Sequence, residues 1–123
     1  MNGPLKKVLI VDDSVVIRKA IEKFLSDAQV EIIGKASNGS MALELFREYK
    51  PDIVTLDITM PGIDGFQTLK EMIRINRSSK IIVITALADK STGLRALKYG
   101  AKSYLTKPFG PEKLQEAFSR LLD

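Results

Sequence analysis

Apolar and polar residues alternate along this chain in two rhythms. Nearly unbroken apolar runs stand at Val8–Val11 (VLIV), Val30–Ala36 (VEIIGKA), Asp52–Leu56 (DIVTL), Ile81–Thr85 (IIVIT) and Ser103–Thr106 (SYLT). They are short and rich in β-branched residues, as strands are. Between them apolar residues recur at intervals of three or four: Ile17, Ile21, Phe24 and Leu25; Ala42, Leu45, Phe46 and Tyr49; Leu69 and Ile73; Leu114, Ala117, Phe118 and Leu121. That period lines up each set on one stripe of a helix. The segment DKSTGLRALKYG, 89–100, carries the weakest signal. Its stripe rests on Leu94 and Leu97, and Gly93 in its interior costs about 1 kcal/mol relative to Ala. It is the element most expected to move.

Strand and helix alternate five times. Such a (βα)5 order predicts a parallel sheet covered by helices on both faces. The runs at Val8, Ile53 and Ile81 are apolar at successive positions, so both their faces are buried and they belong in the middle. The second and fifth runs carry Glu31, Lys35, Ser103 and Thr106, which suits edges. The expected fold is therefore a flavodoxin-like, doubly wound α/β domain of five parallel strands in the order 2-1-3-4-5.

Composition narrows the chemistry. A chain of 123 residues with 45% hydrophobic and 28% charged residues fits one globular domain. It has no cysteine and no histidine, which excludes disulfides, thiolate or imidazole metal sites and imidazole acid–base catalysis. A metal must then be hard and oxygen-ligated. The net charge of +4 is spread among mixed signs, with no basic run longer than Lys6-Lys7, so a nucleic-acid surface is not expected. The start, MNGPLKKVLIV, is too short in apolar residues for a signal peptide or a spanning helix. A cytoplasmic protein without membrane contact is the expectation.

In a doubly wound sheet, ligands bind beyond the carboxyl ends of the strands. The residues at those ends are Asp12 and Asp13 after the first run, Asp57 after the third, Thr85 at the fourth and Lys107-Pro108 after the fifth. Each has an ordinary explanation alone: Asp13 or Ser14 as a helix cap, Asp57 opening a turn, Thr85 as a strand residue, Lys107 solvated. Their coincidence on one rim is what carries weight. Like charges 4 Å apart repel by roughly 4 kcal/mol at an effective dielectric of 20, so three clustered carboxylates suit a cation, and Mg²⁺ fits an oxygen-only set. A carboxylate is also a nucleophile toward phosphorus. Phosphoryl transfer needs chiefly positioning and charge neutralisation, which Lys107 and a donor such as Thr85 can supply.

The motifs VDDS, LDITMPGIDG, ITAL and TKPFGP, in this order and spacing, resemble the response-regulator receiver domain, close to the stand-alone CheY type. The resemblance spans residues 5–122, with 1–4 as a short tail. It implies Asp57 as the phosphoacceptor, and Mg²⁺ held by Asp12, Asp13, Asp57 and the backbone carbonyl of Thr59. It also implies Lys107 on the phosphoryl group, a cis Lys107–Pro108 peptide, and Thr85 with Tyr104 as a switch pair whose ring turns inward as the hydroxyl turns toward phosphate. Pro61 and Gly62 then read as the turn after Asp57, Asp64 as a cap, Gly65 as a small residue where backbones crowd, and Ala86 as room for the phosphoryl group. Thr59 and Leu87 should flank the path of the hydrolytic water. Leu87 cannot orient water, so slower loss of phosphate is expected than with Glu or Asn there.

The implied partners are a sensor histidine kinase and a downstream target on the face of helix 4, strand 5 and helix 5, with a flagellar motor switch and a phosphatase as candidates. Lys90, Arg95, Lys98, Lys102 and Lys113 should make that face basic. Chemotaxis is the leading role, and a receiver serving a transcriptional or sporulation output is the alternative. A haloacid-dehalogenase-like phosphatase would need a second Asp where Thr59 stands, and a flavin carrier would face repulsion from DDS after strand 1. The chain thus reads as a signalling phosphoacceptor that acts enzymatically only on its own phosphate.

Overall fold

The structure, a computed structural model, describes residues 5–60, 64–86 and 90–122. Five strands and five helices alternate: β1 (Lys6–Val11), α1 (Val15–Phe24), β2 (Val30–Ala36), α2 (Gly39–Tyr49), β3 (Ile53–Asp57), α3 (Gly65–Ile75), β4 (Lys80–Thr85), α4 (Lys90–Lys98), β5 (Ser103–Thr106) and α5 (Pro111–Leu122). The sheet is parallel with order β2-β1-β3-β4-β5, as the pattern predicts, and the two polar runs are its edges. None of the helices is long and apolar enough to cross a membrane among the described residues.

The unbroken apolar runs have a direct cause. Successive strand residues face opposite sides, and both sides are covered. Leu9, Val11, Val54, Leu56, Ile81 and Val83 pack with Ala42 and Phe46 of α2, Leu69 and Met72 of α3 and Ala96 of α4. Val8, Ile10, Ile53, Ile82 and Ile84 pack with Ile21 of α1 and Leu114, Ala117 and Phe118 of α5. Side-chain caps start the helices: Ser14, Asn38 and Asp64 accept from the backbone N–H of Ile17, Met41 and Phe66. Ser14, rather than Asp13, caps α1. Lys50 ends α2 in the left-handed region (φ 48°), and Pro51 then blocks continuation.

Two expectations about helix faces need correction. Tyr49 is not on the buried stripe of α2; it is 42% exposed at the helix end. On α4, Leu94 and Leu97 point outward, at 59% and 38% exposure, and the buried residues are Thr92, Gly93 and Ala96. The helix lies against Tyr104 of β5 there, and an added Cβ at Gly93 would fall 2.4 Å from that ring. Close approach selects small residues and turns the leucines to the outside.

Candidate functional site

The site is assembled where three strands end together. The sheet ladder continues through Asp12 N–H to the Ala36 carbonyl (3.0 Å) and through Ile58 N–H to the Ile84 carbonyl (3.0 Å). Asp12 and Asp57 are therefore held by rigid backbone, and both are buried, at 0% and 1% exposure. Asp13 is exposed beside them. One carboxylate oxygen from each of the three lies within 4.8 Å of the others.

Every carboxylate oxygen of the buried pair has a neighbour that fixes it. Asp12 Oδ1 accepts from Ser14 N–H at 3.0 Å. Asp57 Oδ1 accepts from Thr59 N–H at 2.9 Å and from the Thr59 hydroxyl at 2.7 Å. The Lys107 ammonium reaches Asp57 Oδ2 at 3.0 Å and Asp12 Oδ2 at 3.0 Å. The contact to Asp12 Oδ2 is an ion pair outside hydrogen-bond geometry, so that buried oxygen has no hydrogen bond among the described residues. Lys107 is delivered by its own N–H bonding to the Thr85 carbonyl (2.8 Å), just before the cis Lys107–Pro108 peptide.

The electrostatics follow from burial. Burial pushes the Asp12 carboxyl above its ordinary range; the nearby Asp57 charge adds to this, and the Ser14 N–H and Lys107 oppose it. For Lys107, burial acts to lower the ammonium's affinity for its proton. Asp57 and Asp12 outweigh it, and the group ends above its ordinary value. The site thus holds a permanent positive charge between two buried acids.

The switch candidates lie on the adjoining strands. Thr85, wholly buried, ends β4. Val83 pairs with Tyr104, and Thr85 with Thr106, so Thr85 and Tyr104 face the same side of the sheet. Tyr104 is half-buried against the α2–α4 core. Asp64 and Gly65 behave as expected: the first caps α3, and a Cβ on the second would meet Ile58 backbone at 2.4 Å. Pro61, Gly62 and Leu87 lie outside the described residues.

Two contributors escape the sequence reading. Arg18 donates from α1 to the Asp12 carbonyl at 2.6 Å; nothing in a surface-helix arginine signals this. The Thr59 side chain, expected beside the path of the hydrolytic water but not as a hydrogen-bonding link, bridges Asp57 and Ala86, whose N–H reaches its hydroxyl at 3.4 Å. A hydroxyl two residues after an Asp that opens a turn is a readable signal for it.

The donor set is all oxygen, partly buried, and contains a carboxylate oxygen without a hydrogen bond, so the residues present fit a hard divalent cation. Asp57 within that set is a rigidly held carboxylate with an ammonium 3.0 Å away.

Comparison with known proteins places this arrangement. Residues 8–119 match the model of the response regulator receiver domain. The chain is 41% identical over 116 residues to the chemotaxis protein CheY of Thermotoga maritima, covering 94% of this chain and 97% of that one. It is 38% identical over 117 residues to chemotaxis protein CheY of Bacillus subtilis, covering 95% and 98%. It superposes with a TM-score of 0.90, at 32% identity and 96% and 90% coverage, on a chain of the CheX–CheY–beryllofluoride–magnesium complex of Borrelia burgdorferi. The parallel sheet in the order β2-β1-β3-β4-β5 agrees with these likenesses, and the chain belongs to the response regulator receiver domain family.

Proposed function

We propose that this chain is a CheY-type response regulator that accepts a phosphoryl group on Asp57 from a sensor histidine kinase and changes partner as a result. The observation that carries this reading is the Asp57 carboxylate, 3.0 Å from the Lys107 ammonium and in one cluster with Asp12 and Asp13. One Asp57 oxygen attacks phosphorus and forms the P–O bond. The bond from phosphorus to the donor breaks, and the donor leaves with its electron pair. Lys107 is placed to meet the charge of the arriving phosphoryl oxygens. Asp12, Asp13, Asp57 and the Thr59 carbonyl would hold Mg²⁺, which supplies neutralising charge to the oxygens in flight. Thr85 would then turn its hydroxyl to the phosphate, with Tyr104 beside it on the same face of the sheet.

Thr59 occupies the position where a phosphatase of the haloacid-dehalogenase type needs a second acid. The chain therefore holds its phosphate as a signal and discharges only itself. The output face is that of α4, β5 and α5. Lys90, Lys98, Lys102 and Lys113 are exposed there beside Leu94 and Leu97. Arg95 instead lays its guanidinium over Phe66 of α3, 4.1 Å from the ring centroid. A basic face with an apolar centre suits an acidic target segment, and association should slow as salt rises. The named relatives make chemotaxis the leading setting, with the flagellar motor switch as target and a phosphatase as a further partner.

The test is a small-molecule phosphodonor with Mg²⁺, read by intact mass. One phosphoryl group should add to the wild type and none to Asp57→Asn. Equal gain in both would overturn the assignment.

A further inference from the structure

Gly93 is the residue that sequence reasoning marks as a defect and the chemistry of the site does not use. Its surroundings give it a purpose. An added Cβ would lie 2.4 Å from Cε2 and Cζ of Tyr104 and 2.6 Å from Cδ2. The ring of Tyr104 therefore occupies the space where a side chain at residue 93 would be. The flanking buried residues of α4, Thr92 and Ala96, are also small. The ring is thus berthed against α4 at Gly93 and packs on the core cluster that includes Ala96.

We propose that Gly93 sets the resting position of the switch tyrosine: it opens an inward berth for Tyr104 that does not depend on phosphoryl transfer to Asp57. The inference rests on reading Tyr104 as a residue of the output face that lies beside Thr85. In a chain that closes this berth with a larger side chain, the ring can enter only when space opens elsewhere. Here the berth is permanent, and the phosphoryl signal must be read out through Thr85 and the placement of α4 rather than through entry of the ring.

The ring, not the helix, yields when Gly93 is enlarged. The clashing atoms are the far end of a side chain on an edge strand, free to rotate about χ1, whereas backbone would resist. Gly93→Ala should therefore expel the ring to solvent and leave the fold intact.

The protein has three tyrosines, so labelling with 3-fluorotyrosine gives a short ¹⁹F spectrum in which Tyr104→Phe assigns the resonance. Broadening by a soluble paramagnetic probe reads exposure, with exposed Tyr49 as the internal reference. In wild type, Tyr104 should broaden several-fold less than Tyr49, and equally with and without Mg²⁺ and beryllofluoride. In Gly93→Ala it should broaden as much as Tyr49 in both conditions. Protection that appears only with beryllofluoride, or protection that survives Gly93→Ala, would overturn the proposal. A denaturant cycle supports it independently of signalling: Gly93→Ala should lower the unfolding midpoint in wild type and raise it in Tyr104→Ala, where the clash is gone and helix propensity decides. A fall of equal size in both backgrounds would also overturn it. Failure of the Asp57 reading shows separately, as a phosphoryl mass gain that persists in Asp57→Asn.

Discussion

Replacing Gly65 by Ala sets two effects of opposite sign against each other. Gly65 opens α3 just after the Asp64 cap. Helix propensity and the smaller entropy of the unfolded chain both favour Ala there, by about 1 kcal/mol together. The steric term opposes them. The new methyl would lie 2.4 Å from both Cα and the carbonyl oxygen of Ile58 and 2.6 Å from its Cβ, where ordinary contact is about 3.5–4 Å. Something must therefore move by roughly 1 Å, which forfeits a quarter to a half of each affected contact. Neither side gives easily. Ile58 is held by its hydrogen bond to Ile84, and its neighbours Asp57 and Thr59 are bonded to each other. On the other side, α3 is anchored by Leu69 and Met72, both fully buried. Overpacking of this kind costs about 3 kcal/mol, so the net destabilisation is about 2 kcal/mol. Urea unfolding followed by far-UV circular dichroism should show the midpoint falling by about 1 M, and the melting temperature should fall by about 8 °C. An unchanged or raised midpoint would refute the backbone clash. At Gly93 the obstacle is a rotatable ring; at Gly65 it is main chain.

Other outcomes can be checked by the same unfolding assays. Thr55, wholly buried on the central strand β3, has a hydroxyl without a hydrogen-bond partner among the described residues, so Thr55→Val should stabilise by about 1 kcal/mol as the desolvation penalty disappears. Lys50 adopts a left-handed conformation (φ 48°) that costs a non-glycine residue about 1–2 kcal/mol; after the entropy lost in the unfolded chain, Lys50→Gly should still gain about 0.5 kcal/mol. Asp12 bears its charge against its environment, its carboxyl being pushed up mainly by burial, so Asp12→Asn should melt higher than wild type in metal-free buffer. Mg²⁺ at a hundred times its dissociation constant should add about 2.7 kcal/mol to wild type and much less to Asp12→Asn. A wild type that melts at the same temperature with and without Mg²⁺ would argue against the cation site.

The sequence by itself determined the order of elements, the class of fold and the rim on which the site stands. The reason is local: period 2 and period 3.6 separate strands from helices, doubly buried strands announce themselves as unbroken apolar runs, and a doubly wound sheet offers one edge to ligands. Asp12, Asp13, Asp57 and Lys107 could be placed on that edge because each stands at or just past the carboxyl end of a strand. What only the tertiary structure decided is how neighbouring elements meet. The rule that the largest apolar residues face inward fails on α4, because the ring of Tyr104 leaves room for Gly93 and no room for Leu94 or Leu97. It fails for Tyr49, the last residue of α2, which stays exposed. The hydrogen bond from Arg18 to Asp12 and the bridge made by the Thr59 hydroxyl depend on angles and distances between segments far apart in the chain or turned by a loop. Hydrophobic periodicity reports which side of an element is covered; the shape of the covering partner decides which residues fit there.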